Sequence, residues 1–352
     1  MKKVLITGGA GFIGTNFVKY IYRTHKDWSI INLDALTYAG NLENLKELEG
    51  APRYAFVKGD ITDRGLISRL FDEYDFDYVV NFAAESHVDR SIREPEIFLK
   101  TNVLGTQCLL DSAKAKWQIG KDGEGYPVYR EGVKYLQVST DEVYGALGKT
   151  GMFTETTPIS PNSPYSASKA SADMVVRAYG QTFHLPVNIT RCSNNYGPYQ
   201  FPEKLIPLMI GNVLEGKPLP VYGDGMQVRD WLHVADHCSA IDTVLNKGRI
   251  GEVYNIGGNN ERANIEIVRL VIKTLGKDES LIRNVEDRLG HDRRYAIDNS
   301  KITSELGWSP VYTFERGMTE TIDWYCANRE WLDNVRSGAY MEYYQQYYSE
   351  KN

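Results

Sequence analysis

The chain predicts an α/β protein built on a doubly wound parallel sheet, with a smaller α/β substrate unit towards the C-terminus. Three observations carry this. Short runs rich in β-branched and aromatic residues alternate with longer helical stretches over the first two-thirds. Those runs lack the strict apolar/polar alternation of a half-exposed strand. From about residue 192 prolines and glycines become frequent. Apolar strands joined by helices indicate a parallel sheet covered on both faces. Right-handed crossovers then wind it both ways, and ligands sit at the carboxyl ends of its strands.

Strands are expected at 2–7, 29–34, 54–60, 78–84, 134–140, 186–191 and 252–258. Helices are expected near 12–24, 63–73, 98–116 and 165–183. The segment 118–132, "QIGKDGEGYPVYREG", reads as a surface loop. The stretches "NNYGPYQFPEKLIPLM" and "GKPLPVYGDG", with helices at 264–275 and 315–328, read as a loop-rich lid packed over the sheet. The strand at 252–258 returns to the first unit. The division expected is therefore 1–191 with about 228–257, against about 192–227 with 258–352. The tail "AYMEYYQQYYSEKN" reads as a packed or frayed helix.

At 352 residues the chain exceeds the usual limit of one core. Its 42% apolar and 24% charged residues are an ordinary globular mix. A net charge of −6 argues against nucleic-acid and anionic-membrane partners and leaves small molecules. Cys108, Cys192, Cys238 and Cys326 show no CxxC spacing, so free thiols in a reducing cytosol are expected. Glycine interrupts "MKKVLITGG" too early for a signal-peptide core, and no later run approaches a membrane span.

"KVLITGGAGFIGTNFV" reads as strand, glycine turn and helix. Gly8, Gly11 and Gly14 give GxxGxxG, and Gly9, Gly11 and Gly14 also satisfy GxGxxG. Such a turn lets backbone approach a pyrophosphate seated at the helix N-terminus. Asp34 ends the second strand, where a carboxylate accepts from ribose hydroxyls and repels a 2′-phosphate, so NAD is favoured over NADP. Asp60 and Ile61 close the third strand beside the adenine. Small Ala83 and Ala84 stand where the cofactor backbone must pass, although simple packing also explains two alanines.

Tyr165 and Lys169 form YxxxK, which places phenol and ammonium on one helix face. A nearby ammonium and the positive nicotinamide would lower the tyrosine pKa from about 10 and make a usable base. Ser139 and Thr140 end the preceding strand, followed by Asp141 and Glu142 in "STDEVYG". By themselves these two acids are either a solvated turn or an acid–base pair. His233 and His237 in "HVADH" have metal-like spacing, but Val234 stands where HExxH needs glutamate and no third ligand is evident. Packing at a helix start is the preferred reading, and no metal is expected. His87 is equally a substrate neighbour or a structural residue.

Taken together the glycine turn, Ser/Thr strand end and YxxxK resemble the extended short-chain dehydrogenase/reductase superfamily, over nearly the whole chain. The resemblance implies a Rossmann-like NAD domain, a small C-terminal nucleotide-sugar domain and usually a homodimer, and the cysteine usage already points to the cytoplasm. Within it, "STDEVYG", "AAESHVDRSI", "SPYSASKASAD", "CSNNYGPYQFPEKLIPLMI", "YGDGMQVRDWLHVADH", "YNIGGNNE" and "GHDRRYAID" resemble the dTDP-glucose 4,6-dehydratase family. Leu289 in "DRLGHD" departs from the proline expected there.

That family resemblance implies the chemistry. Tyr165 takes the proton of the carbon 4 hydroxyl while hydride passes to NAD. Glu142 removes the carbon 5 proton, Asp141 protonates the leaving carbon 6 hydroxyl, and hydride returns to carbon 6. The product is the 4-keto-6-deoxy sugar nucleotide, a rhamnose-type deoxysugar precursor. Thr140 would bond the carbon 4 oxygen, and Lys169 the nicotinamide ribose. The resemblance adds Phe12, Ile13, Thr37, Ser86, Thr101 and Asn195 to the NAD side. On the substrate side it adds Ser86, Asn194, Lys204, Leu205, Pro220, Tyr222, Arg229, Asn264, Arg288 and His291. Arg229 and Arg288 are the candidate diphosphate donors. Arg293 and Arg294 are rivals that pairing with Asp292 or Asp298 would equally explain. A nucleotide-sugar 4-epimerase would share Tyr165 and Lys169 but has no use for Asp141 and Glu142. Choosing thymidine over uridine rests on the resemblance alone.

Overall fold

Each of the seven apolar runs becomes a strand, and all seven join one sheet. The computed structural model describes residues 1–287 and 292–338. The strands are β1 (Lys2–Thr7), β2 (Trp28–Asp34), β3 (Tyr54–Lys58), β4 (Tyr78–Asn81), β5 (Lys134–Thr140), β6 (Val187–Cys192) and β7 (Val253–Ile256). Their order is β7-β6-β5-β4-β1-β2-β3, and every pairing is parallel. The chain steps outward from β1 in one direction, then from β4 in the other. The switch lies between β1 and β4, where an open α/β sheet leaves its ligand crevice.

Side chains alternate between two buried faces, which is why the runs read as continuous. Val4, Ile6, Ile30, Val80, Leu136 and Val138 face one cluster with helices α1 (Phe12–Thr24) and α6 (Val234–Lys247). Leu5, Ile31, Val79, Tyr135 and Ile189 face the other, with α2 (Arg64–Tyr74), α3 (Thr106–Trp117) and α4 (Pro164–Phe183). Each fully buried aliphatic side chain contributes about 1.5–3 kcal/mol. Helix starts are chemically marked: Asp63 caps α2, and Ser163 and Ser166 form a capping box on α4 with Pro164 in its first turn. The expected helix at 98–116 continues backwards through a π-helical segment, Leu99–Gly105, to Pro95.

Two expectations need correction. Residues 118–132 are not a plain loop: Gln118–Lys121 pairs antiparallel with Pro127–Tyr129. The Asp122 carboxylate accepts from the amides of Glu124 and Tyr126 and folds the turn between them. The region after 192 is richer in helix than expected. The helix α5 (Leu205–Glu215) packs with α7 (Asn264–Thr274) and α8 (Phe314–Ala327) around a third apolar cluster that includes Trp231, Leu219 and Val221. Pro207 hid α5, yet it lies in the first turn, where an amide has no intrahelical partner to lose. The tyrosine-rich tail beyond 338 lies outside the described residues.

Candidate active site

The carboxyl ends of β1 to β6 open into one cleft of about 440 Å³. At its floor, β1 runs into the glycine turn. Gly8 has φ +69°, and a Cβ there would lie 2.7 Å from the Ala83 amide nitrogen. Only glycine serves at that position. Gly14 is equally committed, since a Cβ there would strike the Gly8 carbonyl. Ala83 thus packs on Gly8 as well as lining the cleft. Gly11 caps α1 without a side chain, which leaves first-turn amides for an anion. Asp34 accepts from the amides of Ala10 at 2.9 Å and Leu36 at 2.8 Å. Burial raises its pKa, and those two bonds work against the rise.

Phe12, Ile13, Thr37, Asp60, Ile61, Ala84, Ser86 and Thr101 also line the cleft. Asp60 spends one oxygen on the amide and hydroxyl of Thr62, both at 2.8 Å. The glycine cradle, the uncapped helix start and the Asp34 carboxylate at the second strand end fit a dinucleotide with free ribose hydroxyls.

Across the cleft, β5 ends in Ser139 and Thr140 and turns at once into a 3₁₀ turn, Asp141–Tyr144. The Thr140 hydroxyl accepts from the Glu142 amide at 3.2 Å and lies 3.3 Å from Asp141 Oδ1. The two acids differ in setting. Asp141 is buried at 1% exposure, and its Oδ2 has no hydrogen-bond partner among the described residues. Glu142 is half-buried and opens on the cleft. Burial, then the charges of Glu142 and Asp230, push the Asp141 pKa well up, while Arg229 and Thr140 oppose this. Asp141 is therefore held towards its protonated form.

Tyr165 and Lys169 stand one turn apart on α4 and both line the cleft. The Lys169 ammonium donates to the Val138 carbonyl at 2.7 Å. Burial, and then the Glu142 and Asp141 carboxylates, raise the Tyr165 pKa, with Thr140 opposing. The expected lowering concerns the site with a cationic nicotinamide beside the phenol.

Asn194, Asn195 and Lys204 complete the wall. Asn195 is oriented by His237, whose Nδ1 lies 2.9 Å from its Oδ1. Burial lowers the His237 pKa to about 3, so the ring is neutral. His233 caps α6 and stacks on Tyr312 with ring centres 3.8 Å apart. These two histidines serve a site wall and a helix start, and no group of three potential metal ligands occurs among the described residues. His87 caps a short helix, Val88–Arg93, and lies 3.5 Å from Glu203.

Among the described residues, Leu205, Pro220, Tyr222, Arg229 and Asn264 of the expected substrate set do not line this cleft. Leu205 begins α5, Pro220 and Tyr222 lie in the strand Leu219–Tyr222, and Asn264 starts α7 with its Oδ1 buried and unpartnered among the described residues. Arg229 is buried over the Tyr295 ring at 4.3 Å and donates to the carbonyls of Val228 and Asp292. Arg288, Leu289 and His291 lie outside the described residues. Arg293 pairs with Asp224 and Arg294 with Glu261, not with the neighbouring aspartates considered from sequence. Tyr38, Gln200, Phe201 and Glu203 are among the cleft residues that escaped the sequence reading. Their only signal was adjacency to Thr37 and Lys204. Tyr38 and Phe201 meet edge-on at 5.8 Å across the mouth.

Known proteins resemble this chain over nearly its whole length. Residues 5–321 match the family model described as GDP-mannose 4,6 dehydratase. A curated dTDP-glucose 4,6-dehydratase of Xanthomonas campestris pv. campestris (strain B100) is 58% identical over 345 residues, 96% of each chain. The crystal structure of dTDP-glucose 4,6-dehydratase from Bacillus anthracis in complex with NAD is 55% identical, with TM-score 0.86, covering 95% of this chain and 100% of that one. A UDP-glucose 4-epimerase of Thermotoga maritima shares the fold at 28% identity and TM-score 0.82, covering 92% of this chain and 99% of that one. Fold alone does not separate dehydratase from epimerase; the side chains in the cleft have to.

Proposed function

The chain belongs to the GDP-mannose 4,6-dehydratase family, and on that premise we propose that it converts dTDP-glucose to dTDP-4-keto-6-deoxyglucose and water, with NAD as its resident cofactor. The observation that carries this reading is Asp141: a carboxyl buried and driven towards its protonated form, beside the half-buried Glu142, in the same cleft as Tyr165 and Lys169. An epimerase needs no such pair.

NAD, when bound, supplies the acceptor for hydride from carbon 4 and the donor for its return to carbon 6. Gly8, Gly11, Phe12, Ile13, Gly14, Asp34, Thr37, Asp60, Ile61, Ala83, Ala84, Ser86, Thr101 and Asn195 are the residues proposed to hold it. Tyr165 takes the proton of the carbon 4 hydroxyl. Its raised pKa makes the phenolate a strong base once formed, and the Lys169 ammonium and the cationic ring both favour that form. Thr140 steadies the carbon 4 oxygen. The ketone acidifies carbon 5, Glu142 removes that proton, and Asp141 gives its own to the departing carbon 6 hydroxyl. Two close acids sharing one proton suit this division, since both cannot cheaply ionise.

Asn194 and Lys204 are proposed to hold the sugar end. Leu205, Pro220, Tyr222, Arg229, Asn264, Arg288 and His291 are proposed for the diphosphate and base. The proposed division sets the NAD unit, 1–191 with about 228–257, against a nucleotide-sugar unit of about 192–227 and 258–352. Ile302 and Trp308 pack with the NAD unit's core, which supports moving that short stretch across the boundary. A homodimer and a cytoplasmic location complete the proposal.

The test is substrate choice. Purified protein without added NAD is incubated separately with dTDP-glucose, UDP-glucose and GDP-mannose. Mass spectrometry should find the product lighter by one water, with dTDP-glucose consumed fastest. Faster loss of water from UDP-glucose or GDP-mannose would refute the thymidine assignment, and an unchanged mass with all three would refute dehydration.

A further inference from the structure

The back of the glycine turn is held by a helix from late in the chain. Helix α9 (Arg329–Ser337) packs through Trp331 and Leu332 on the third apolar cluster. The Trp331 ring meets Trp324 edge-on at 5.2 Å and Tyr199 edge-on at 6.0 Å. Its indole Nε1 donates to Asn44 Oδ1 at 2.8 Å, across 287 positions of sequence. Asn44 is 3% exposed and lies in a 3₁₀ helix, Leu42–Leu48. Its Nδ2 donates to the Ala10 carbonyl at 3.1 Å and to the Thr15 hydroxyl at 3.4 Å. The Asn41 amide donates to the same Ala10 carbonyl at 3.0 Å.

An indole N–H can only donate, so Trp331 decides how the Asn44 amide sits: oxygen towards the indole, nitrogen towards Ala10. Ala10 stands between Gly9 and Gly11 in the turn. Its N–H goes to Asp34, and its carbonyl to Asn41 and Asn44. Ala10 is fully buried and does not line the cleft, whereas Gly8, Gly11 and Gly14 do. The two donors thus hold a carbonyl oxygen behind the turn. Facing the cleft, that oxygen would set partial negative charge against the anion that the uncapped start of α1 attracts. Neither Asn44 nor Trp331 lines the cleft, so their influence passes through Ala10.

We propose that Asn44 is a positioning residue for the dinucleotide turn and that Trp331, on α9, sets its amide. Retention of NAD then depends on a helix that packs with the nucleotide-sugar unit. The proposal rests on the reading that NAD occupies the glycine turn, and on no step of the dehydration.

The test follows the loss of NAD from the loaded full-length enzyme after dilution into NAD-free buffer. Trp331→Phe keeps an aromatic ring beside Trp324 and Tyr199 and removes the donor. It should release NAD roughly tenfold faster than wild type, the effect of leaving the buried Asn44 oxygen without its partner. Asn44→Leu, which loses both bonds, should release it at least as fast. Asn334→Ala breaks the bond from α9 to Glu43, 3.1 Å long, but spares the path to Ala10, and should release NAD at the wild-type rate. Turnover by Trp331→Phe should decline as NAD is lost and recover in excess NAD, with KM for the sugar nucleotide within about twofold of wild type. Equal NAD release from Trp331→Phe and wild type overturns the proposal. So does equally fast release from Asn334→Ala, because packing of α9 in general would then explain the effect. If Asn44→Leu does not fold, Trp331→Phe decides alone. A wild type that neither carries nor takes up NAD sinks the cofactor reading and the proposal with it; NAD held equally by every variant sinks the proposal alone.

Discussion

Asp141 and Glu142 are neighbours in the chain but not in environment, and the difference sets their chemistry. Burial and two nearby carboxylates raise the Asp141 pKa above its unfolded value. The folded state then binds more protons than the unfolded one between those two values, so stability falls as pH rises through that window. Asp141→Asn removes this slope. Its thermal midpoint should match wild type at acid pH, pull ahead across the window, and stay a few degrees higher above it. Calorimetry across pH checks this, and parallel melting curves at every pH would contradict it. The same variant should lose about 10²–10⁴-fold in turnover. Glu142→Gln should differ in kind: in heavy water it should also stop deuterium entering carbon 5, which NMR of the product reads directly. The places of Asp141, Glu142, Tyr165 and Lys169 were legible in the sequence as a strand end and a helix turn, whereas the roles of the two acids came from the family resemblance. Those of Tyr38 and Phe201 were not legible, because only the folded loops bring the two rings face to edge.

At the scale of the element, the glycine turn between β1 and α1 is the most constrained piece of the site. Gly8→Ala would force a Cβ into the left-handed region and against the Ala83 backbone. The variant, purified and denatured, should release less than about one-tenth of the NAD that wild type releases, a loss of tenfold or more in affinity. Full retention by absorbance would show that the turn tolerates a side chain. The sheet strands were readable as apolar runs because each is buried on both faces. The hairpin at 118–129 was not, since its residues are mostly exposed and carry no apolar alternation. Helix α5 was obscured by Pro207, whose cost depends on its place in the helix rather than on its presence.

Over the whole molecule, the sheet gathers six strand ends into one cleft, and the later helices build a third apolar cluster. Ile92, Leu99 and Leu104 on the segment 88–105 are 46%, 51% and 54% exposed, and Met174 on α4 is 42% exposed. Exposed apolar side chains gathered on neighbouring helices support the proposed homodimer. Leu104→Glu should halve the mass seen by light scattering at micromolar concentration, and an unchanged mass would place the contact elsewhere. The central claim is the internal return of hydride between two carbons of one sugar. Sugar nucleotide carrying deuterium at carbon 4, incubated with purified protein and no added NAD, tests it most directly. Deuterium should appear in the carbon 6 methyl of a 4-keto product. Label back at carbon 4, or no 4-keto sugar at all, would contradict it.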